Sequence, residues 1–155
     1  MRKYLLHILI ISFVFLLAPT AHVATYAGEL EDAKEKVRKY PDDALAHFFL
    51  GLAYGKSGKY KEAIESHKQA IRIDPDAAIA HVGLGAACLK SGMHKEAIES
   101  YKQAIKIKPD YASVHYNLGL SYLNLKDRDS AIEQYKILKK LDTELANKLF
   151  NAIYE

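Results

Sequence analysis

Residues 61–76 read KEAIESHKQAIRIDPD and residues 95–110 read KEAIESYKQAIKIKPD, two stretches 34 residues apart that differ at three positions. Self-similarity at one fixed period marks a stacked array of small structural units, each too small to bury its own apolar face alone. At 155 residues the chain has room for a short array with a continuous core.

The same spacing recurs in residues that punctuate or pack. Pro41, Pro75 and Pro109 close successive units, and Thr143 stands at the next such position. Leu50-Gly51, Leu84-Gly85 and Leu118-Gly119 recur in phase. So do Ala63, Ala97 and Ala131, and Ala70 and Ala104, where Leu138 replaces the third alanine. A glycine inside a helix costs about 1 kcal/mol relative to alanine, so three in register require an offsetting gain. Close approach of the glycine helix to the alanines of the next helix is the gain expected here.

Lys56-Ser57-Gly58 and Lys90-Ser91-Gly92 break each unit into two helices, about 44–56 and 60–73 in the first. Asp74-Pro75-Asp76 and Lys108-Pro109-Asp110 separate one unit from the next. Proline disfavours helical continuation, and the aspartate after it is expected to cap the following helix. Glu29–Tyr40 reads as a charged lead helix with a stripe at Leu30, Ala33 and Val37. Glu144–Glu155 places Leu145, Leu149 and Ile153 on one face beside Phe150, as a helix covering the open end of the array would.

These residues resemble the tetratricopeptide repeat. Leu50-Gly51, Tyr54, Gly58, Ala63, Ala70 and Pro75 match its pattern in the first unit. Leu84-Gly85, Gly92, Ala97, Tyr101, Ala104 and Pro109 match in the second, and Leu118-Gly119, Tyr122, Ala131 and Tyr135 in the third. The departures are His47, His81 and His115 in an aromatic position, Cys88 for Tyr, and Thr143 for the last Pro. The resemblance implies an all-α fold: a right-handed superhelical solenoid of three helix-turn-helix repeats (44–77, 78–111 and 112–143). A lead helix at 29–40 and a C-terminal capping helix at 144–155 flank it.

Ahead of the repeats, Arg2 and Lys3 precede an apolar run, Leu5–Ala18, and Thr25-Tyr26-Ala27 supplies small residues at the −3 and −1 positions. That order describes a secretory signal peptide over residues 1–27. An uncleaved anchor from Leu5 to about Ala24 is the second reading, and the only way this chain would touch a membrane. Either reading puts the repeats beyond a bacterial-type inner membrane, in the periplasm, secreted, or tethered facing it. Of 22 basic and 19 acidic residues, 20 and 19 lie after residue 27. A net charge near +1 gives nucleic acid no electrostatic reason to bind. Cys88 is the only cysteine, so neither an internal disulfide nor a lipidated N-terminal cysteine can form.

Candidate chemistry is sparse. His47, His81 and His115 share one repeat position, but adjacent packed helices stand ~8–10 Å apart. One zinc would need nitrogens about 2 Å away, so these rings are expected to fill aromatic slots rather than ligate metal. Cys88, between Ala87 and Leu89, reads as a buried inert thiol. No nucleophile-base arrangement or phosphate loop stands out, and no enzyme activity or cofactor is implied.

The resemblance does imply a ligand surface, the concave face of each first helix. Carried over position by position it comprises Leu45, Phe48, Leu52 and Gly55, then Ile79, Val82, Ala86 and Leu89, then Ser113, Tyr116, Leu120 and Leu123. Asn117 alone survives of the polar residues that clamp a terminal carboxylate in some relatives. An apolar groove binding a protein or peptide segment is therefore expected, in an adaptor for envelope assembly. The alternative is a homo-oligomeric spacer in which lead and tail helices pair between copies.

Overall fold

The computed structural model describes Tyr26 and residues 28–155; the signal or anchor segment expected at 1–27 lies almost wholly outside them. Every element among the described residues is helical. A lead helix α1 (28–39) is followed by three pairs. These are α2 (Ala44–Lys56) and α3 (Tyr60–Ile73), α4 (Ala78–Lys90) and α5 (His94–Ile107), and α6 (Ala112–Asn124) and α7 (Arg128–Leu141). A last helix, α8 (Thr143–Tyr154), closes the chain. The bounds of α2 and α3 are those the sequence implies.

Each first helix packs on the second of its own unit, and each second helix packs on the first helix of the next. The three units form one solenoid of the tetratricopeptide type. Ala63, Ala70, Ala97, Ala104 and Ala131 are fully buried, and their small side chains let the helices approach closely. Ile64, Cys88, Ile98, Tyr101, Val114 and Leu118 then run one core through all three units. Burial raises the Cys88 thiol above its ordinary pKa, as suits an inert packing residue. Leu30 and Ala33 of α1 cover Leu50 and Ala53 at one end. At the other, Ala146, Leu149 and Ile153 of α8 cover Ala131 and Leu138.

The helical glycines do not serve the purpose expected of them. A Cβ on Gly51 would lie 2.5 Å from the His67 ring, and one on Gly85 2.7 Å from the Tyr101 ring. On Gly119 it would meet Leu149 at 2.6 Å. These glycines are notches that receive large side chains. Gly83 of α4 meets the other side of His67, again at 2.5 Å. The ring is thus held between two glycines on two different helices.

Turn chemistry follows the sequence in the first two units. Gly58 and Gly92 adopt φ of 73° and 79°, a left-handed conformation that suits glycine. In the third unit Lys126 takes φ 62° at the same point, which costs a non-glycine residue about 1–2 kcal/mol.

Capping differs from expectation. Asp76 and Asp110 cap nothing: α4 and α6 begin after Ala77 and Tyr111, without a side-chain cap. In the first linker the Asp74 carboxylate accepts from the Asp76 N–H at 3.2 Å; in both linkers the helix starts one residue beyond the aspartate. Asp43, Asp127 and Asp142 are the capping aspartates, accepting from Leu45, Ser130 and Leu145 N–H at 2.9, 3.1 and 3.0 Å. Asp142→Ala is therefore expected to lower stability by about 1 kcal/mol, and Asp76→Ala by less than about 0.5 kcal/mol. Urea midpoints measure both, and equal losses would contradict the assignment.

Candidate interaction surface

The three repeat-position histidines have a structural task. His47, His81 and His115 donate Nε2–H to the carbonyls of Pro41, Pro75 and Pro109 at 2.8, 3.0 and 2.8 Å. Each ring pins the loop before its own helix. That explains the recurrence without a metal, and no cluster of ligating side chains gathers among the described residues.

On the opposite side of the first helices the lining residues divide. Leu45, Leu52 and Ile79 are 55%, 39% and 43% exposed, and Ala86 and Ser113 are exposed as well. Leu45 and Leu52 lie seven residues apart, as do Ile79 and Ala86, so each pair shares a helix face. Helices α2 and α4 touch, which brings the two faces into one strip. Gly55, Val82 and Leu89 are half-buried at its floor.

Phe48 does not line this strip. It is only 6% exposed, because Ala70 of α3 and Ala80 of α4 leave a hole that its ring fills. The accessible ring is Phe49, 49% exposed and set edge-on to Phe48 at 5.4 Å. Phe49 was legible: it stands at i+4 from Leu45 and i−3 from Leu52. With Leu52 it lines a cleft of about 350 Å³ between α1 and α2. The ammonium of Lys36 stands 5.8 Å from the Phe49 ring centre, and a Lys56–Glu29 ion pair of 2.7 Å closes one side.

In the third unit Tyr116, Leu120 and Leu123 are half-buried, packed on the cluster that α8 completes. Asn117 is half-buried too. The strip is thus most open across the first two units and partly covered at the capped end.

An all-helical solenoid with a strip of accessible apolar side chains offers a scaffold for protein contacts. Sequence models of the tetratricopeptide repeat match residues 20–66, 51–92, 85–126 and 112–144. The chain belongs to the tetratricopeptide repeat family, whose repeats generally bind protein partners and whose members are generally not enzymes. Among solved structures, MamA is similar at 25% identity and TM-score 0.72, covering 83% of this chain and 86% of that one. A second MamA structure has 29% identity and TM-score 0.66, covering 81% and 66%. A thermophilic TPR protein of Thermus thermophilus, at 23% identity and TM-score 0.75, covers 86% and 75% and speaks to the fold alone. No curated protein matches the sequence.

Proposed function

We propose that this chain is an exported adaptor that holds a segment of a cell-envelope protein against the strip formed by Leu45, Phe49, Leu52, Ile79 and Ala86. The observation that carries the reading is the exposure of these apolar side chains on the neighbouring helices α2 and α4. Contiguous apolar surface on a folded protein marks contact sites. Four large anchors at about 2 kcal/mol each supply roughly 8 kcal/mol gross. Association and ordering take several kcal/mol of that. The strip alone therefore binds at micromolar strength or weaker, as befits an adaptor that assembles with other contacts. Export rests on the order of charge, apolar run and small residues in 1–27, and an N-terminal sequence beginning at Gly28 in the mature protein would establish cleavage.

Photo-crosslinking from position 49 or 79 in cells should trap a discrete partner. Phe49→Asp with Leu52→Asp should reduce that capture at least tenfold while leaving the melting temperature within a few degrees, since both side chains are exposed. Undiminished capture by a folded double variant would remove the strip from consideration.

The second reading, self-association into a spacer, is favoured by the outer face of α8. Tyr135, Phe150 and Tyr154 form a ladder with ring separations of 5.5 and 4.6 Å, and Phe150 and Tyr154 are exposed. A sedimentation coefficient that does not rise with concentration would dismiss it.

A further inference from the structure

The repeat-position histidines differ in what their second ring nitrogen meets. With Nε2–H committed to a proline carbonyl, each neutral ring presents Nδ1 as an acceptor. In the third unit Gln134 Oε1 lies 2.8 Å from His115 Nδ1, and His115 is only 3% exposed. With Nε2–H committed, the neutral ring is satisfied there once that terminal amide is turned over so that its NH2 donates. The equivalent positions in the first two units, at 34-residue intervals, hold Ser66 and Ser100. Both hydroxyls are too short to cross. They donate instead to the Glu62 and Glu96 carbonyls of their own helices at 2.9 and 2.8 Å.

His47 and His81 are accordingly half-buried, and a cleft opens beside each, about 440 Å³ at His47 and about 370 Å³ at His81. The two share a leucine (Leu50 or Leu84), a glutamine (Gln69 or Gln103) and a carboxylate (Glu65 or Glu99) that is ion-paired to Lys68 or Lys102. They differ in Tyr54, Lys61 and Glu62 at the first and Lys68, Ile71 and Arg72 at the second. A primary carboxamide complements that set. Its NH2 can donate to Nδ1 and to the carboxylate, and its carbonyl can accept from the glutamine NH2.

We propose that the clefts beside His47 and His81 bind side-chain carboxamides of a partner polypeptide, in the place that Gln134 fills within the third unit. Because α2 and α4 pack directly, the clefts stand ~8–10 Å apart. Extended chain rises ~3.3 Å per residue, so the ligand carries Gln or Asn at i and i+3. His47 and Leu50 lie two residues, about 200° of helix, from Leu45 and Leu52. The clefts therefore form a second surface, across the helices from the apolar strip, and they stand or fall independently of it.

The probe is the acetylated, amidated peptide Ala-Gln-Ala-Ala-Gln-Ala, titrated into the full chain while imidazole nitrogen resonances are followed. Saturable shifts at Nδ1 of His47 and His81, and not of His115, are expected at millimolar peptide. Norleucine in place of both glutamines should weaken binding at least tenfold. Ser66→Gln with Ser100→Gln copies the third unit, and should move both resonances toward that of His115 and weaken binding at least tenfold. Gln134→Ser should make His115 respond to the peptide.

Equal binding by the norleucine peptide or by the double-glutamine variant overturns the proposal. So does tighter binding of a lysine-substituted peptide, which would make the sites ammonium acceptors. If the double variant does not fold, Gln134→Ser decides: a His115 that stays silent overturns the assignment.

Discussion

Replacing Tyr101 with alanine is expected to lower the unfolding free energy by about 3–5 kcal/mol, the range for truncating a large buried aromatic side chain. Tyr101 is among the largest fully buried side chains, and its ring sits in the notch left by Gly85, in the core shared by all three units. Burial pushes its phenol pKa up to about 12, so the group stays neutral throughout the stable pH range. Alanine would leave an empty slot between α4 and α5, which alanines already in contact cannot close. Against a total of roughly 5–15 kcal/mol for a domain of this kind, the loss threatens the whole array. Urea denaturation with an unchanged slope measures it. A loss below about 1 kcal/mol, the average for any substitution, would mean that the ring is not a keystone of the core.

His67 occupies the equivalent position in the first unit, and there the expected result is acid sensitivity. Its ring is buried between Gly51 and Gly83, Nδ1 has no hydrogen-bond partner, and burial pulls its pKa down from 6.5 to about 4. The unfolded chain therefore takes up this proton near pH 6.5, and the folded chain only near pH 4. Stability is complete above about pH 7 and is lost as the pH falls through that window, by about 2 kcal/mol at pH 5. In His67→Phe the ring carries no titrating nitrogen. The difference in urea midpoint between pH 7.5 and pH 5 should shrink accordingly, whatever the variant's absolute stability. An undiminished difference would assign the acid loss to other groups.

Much of the fold was legible because tetratricopeptide packing is written in small residues, turns and prolines at fixed spacing. The helix pair 44–56 and 60–73 needed only the Lys56-Ser57-Gly58 turn and Pro75. What escaped depended on partners outside the local sequence. Asp76 stands beside a proline like a cap, but α4 begins one residue too late for its carboxylate, after Ala77. Gly51 reads as a helix–helix contact until His67 is seen filling its notch. Accessible apolar side chains do recur on the first helices, yet Phe48 and Phe49 could be sorted only by knowing that Ala70 and Ala80 leave a hole beneath one of them. Gln134 went unremarked because its meaning lies in the contrast with Ser66 and Ser100, which a list of matching positions passes over.

The caps of the first helices, Asp43, Ala77 and Tyr111, recur at intervals of 34 residues, but the cap of α8, Asp142, follows Tyr111 after 31. Asp142 is at once the last residue after α7 and the first before α8, where the other units spend four residues on the same passage. Three missing residues turn a helix by about 300° and draw it back by about 4.5 Å. A unit appended after α8 would inherit that offset and present its stripe to solvent. A unit copied in between Pro41 and Pro109 would keep the beat. The junction at Asp142 therefore takes α8 out of the 34-residue beat and lays it over Ala131 and Leu138 instead of continuing the stack in register.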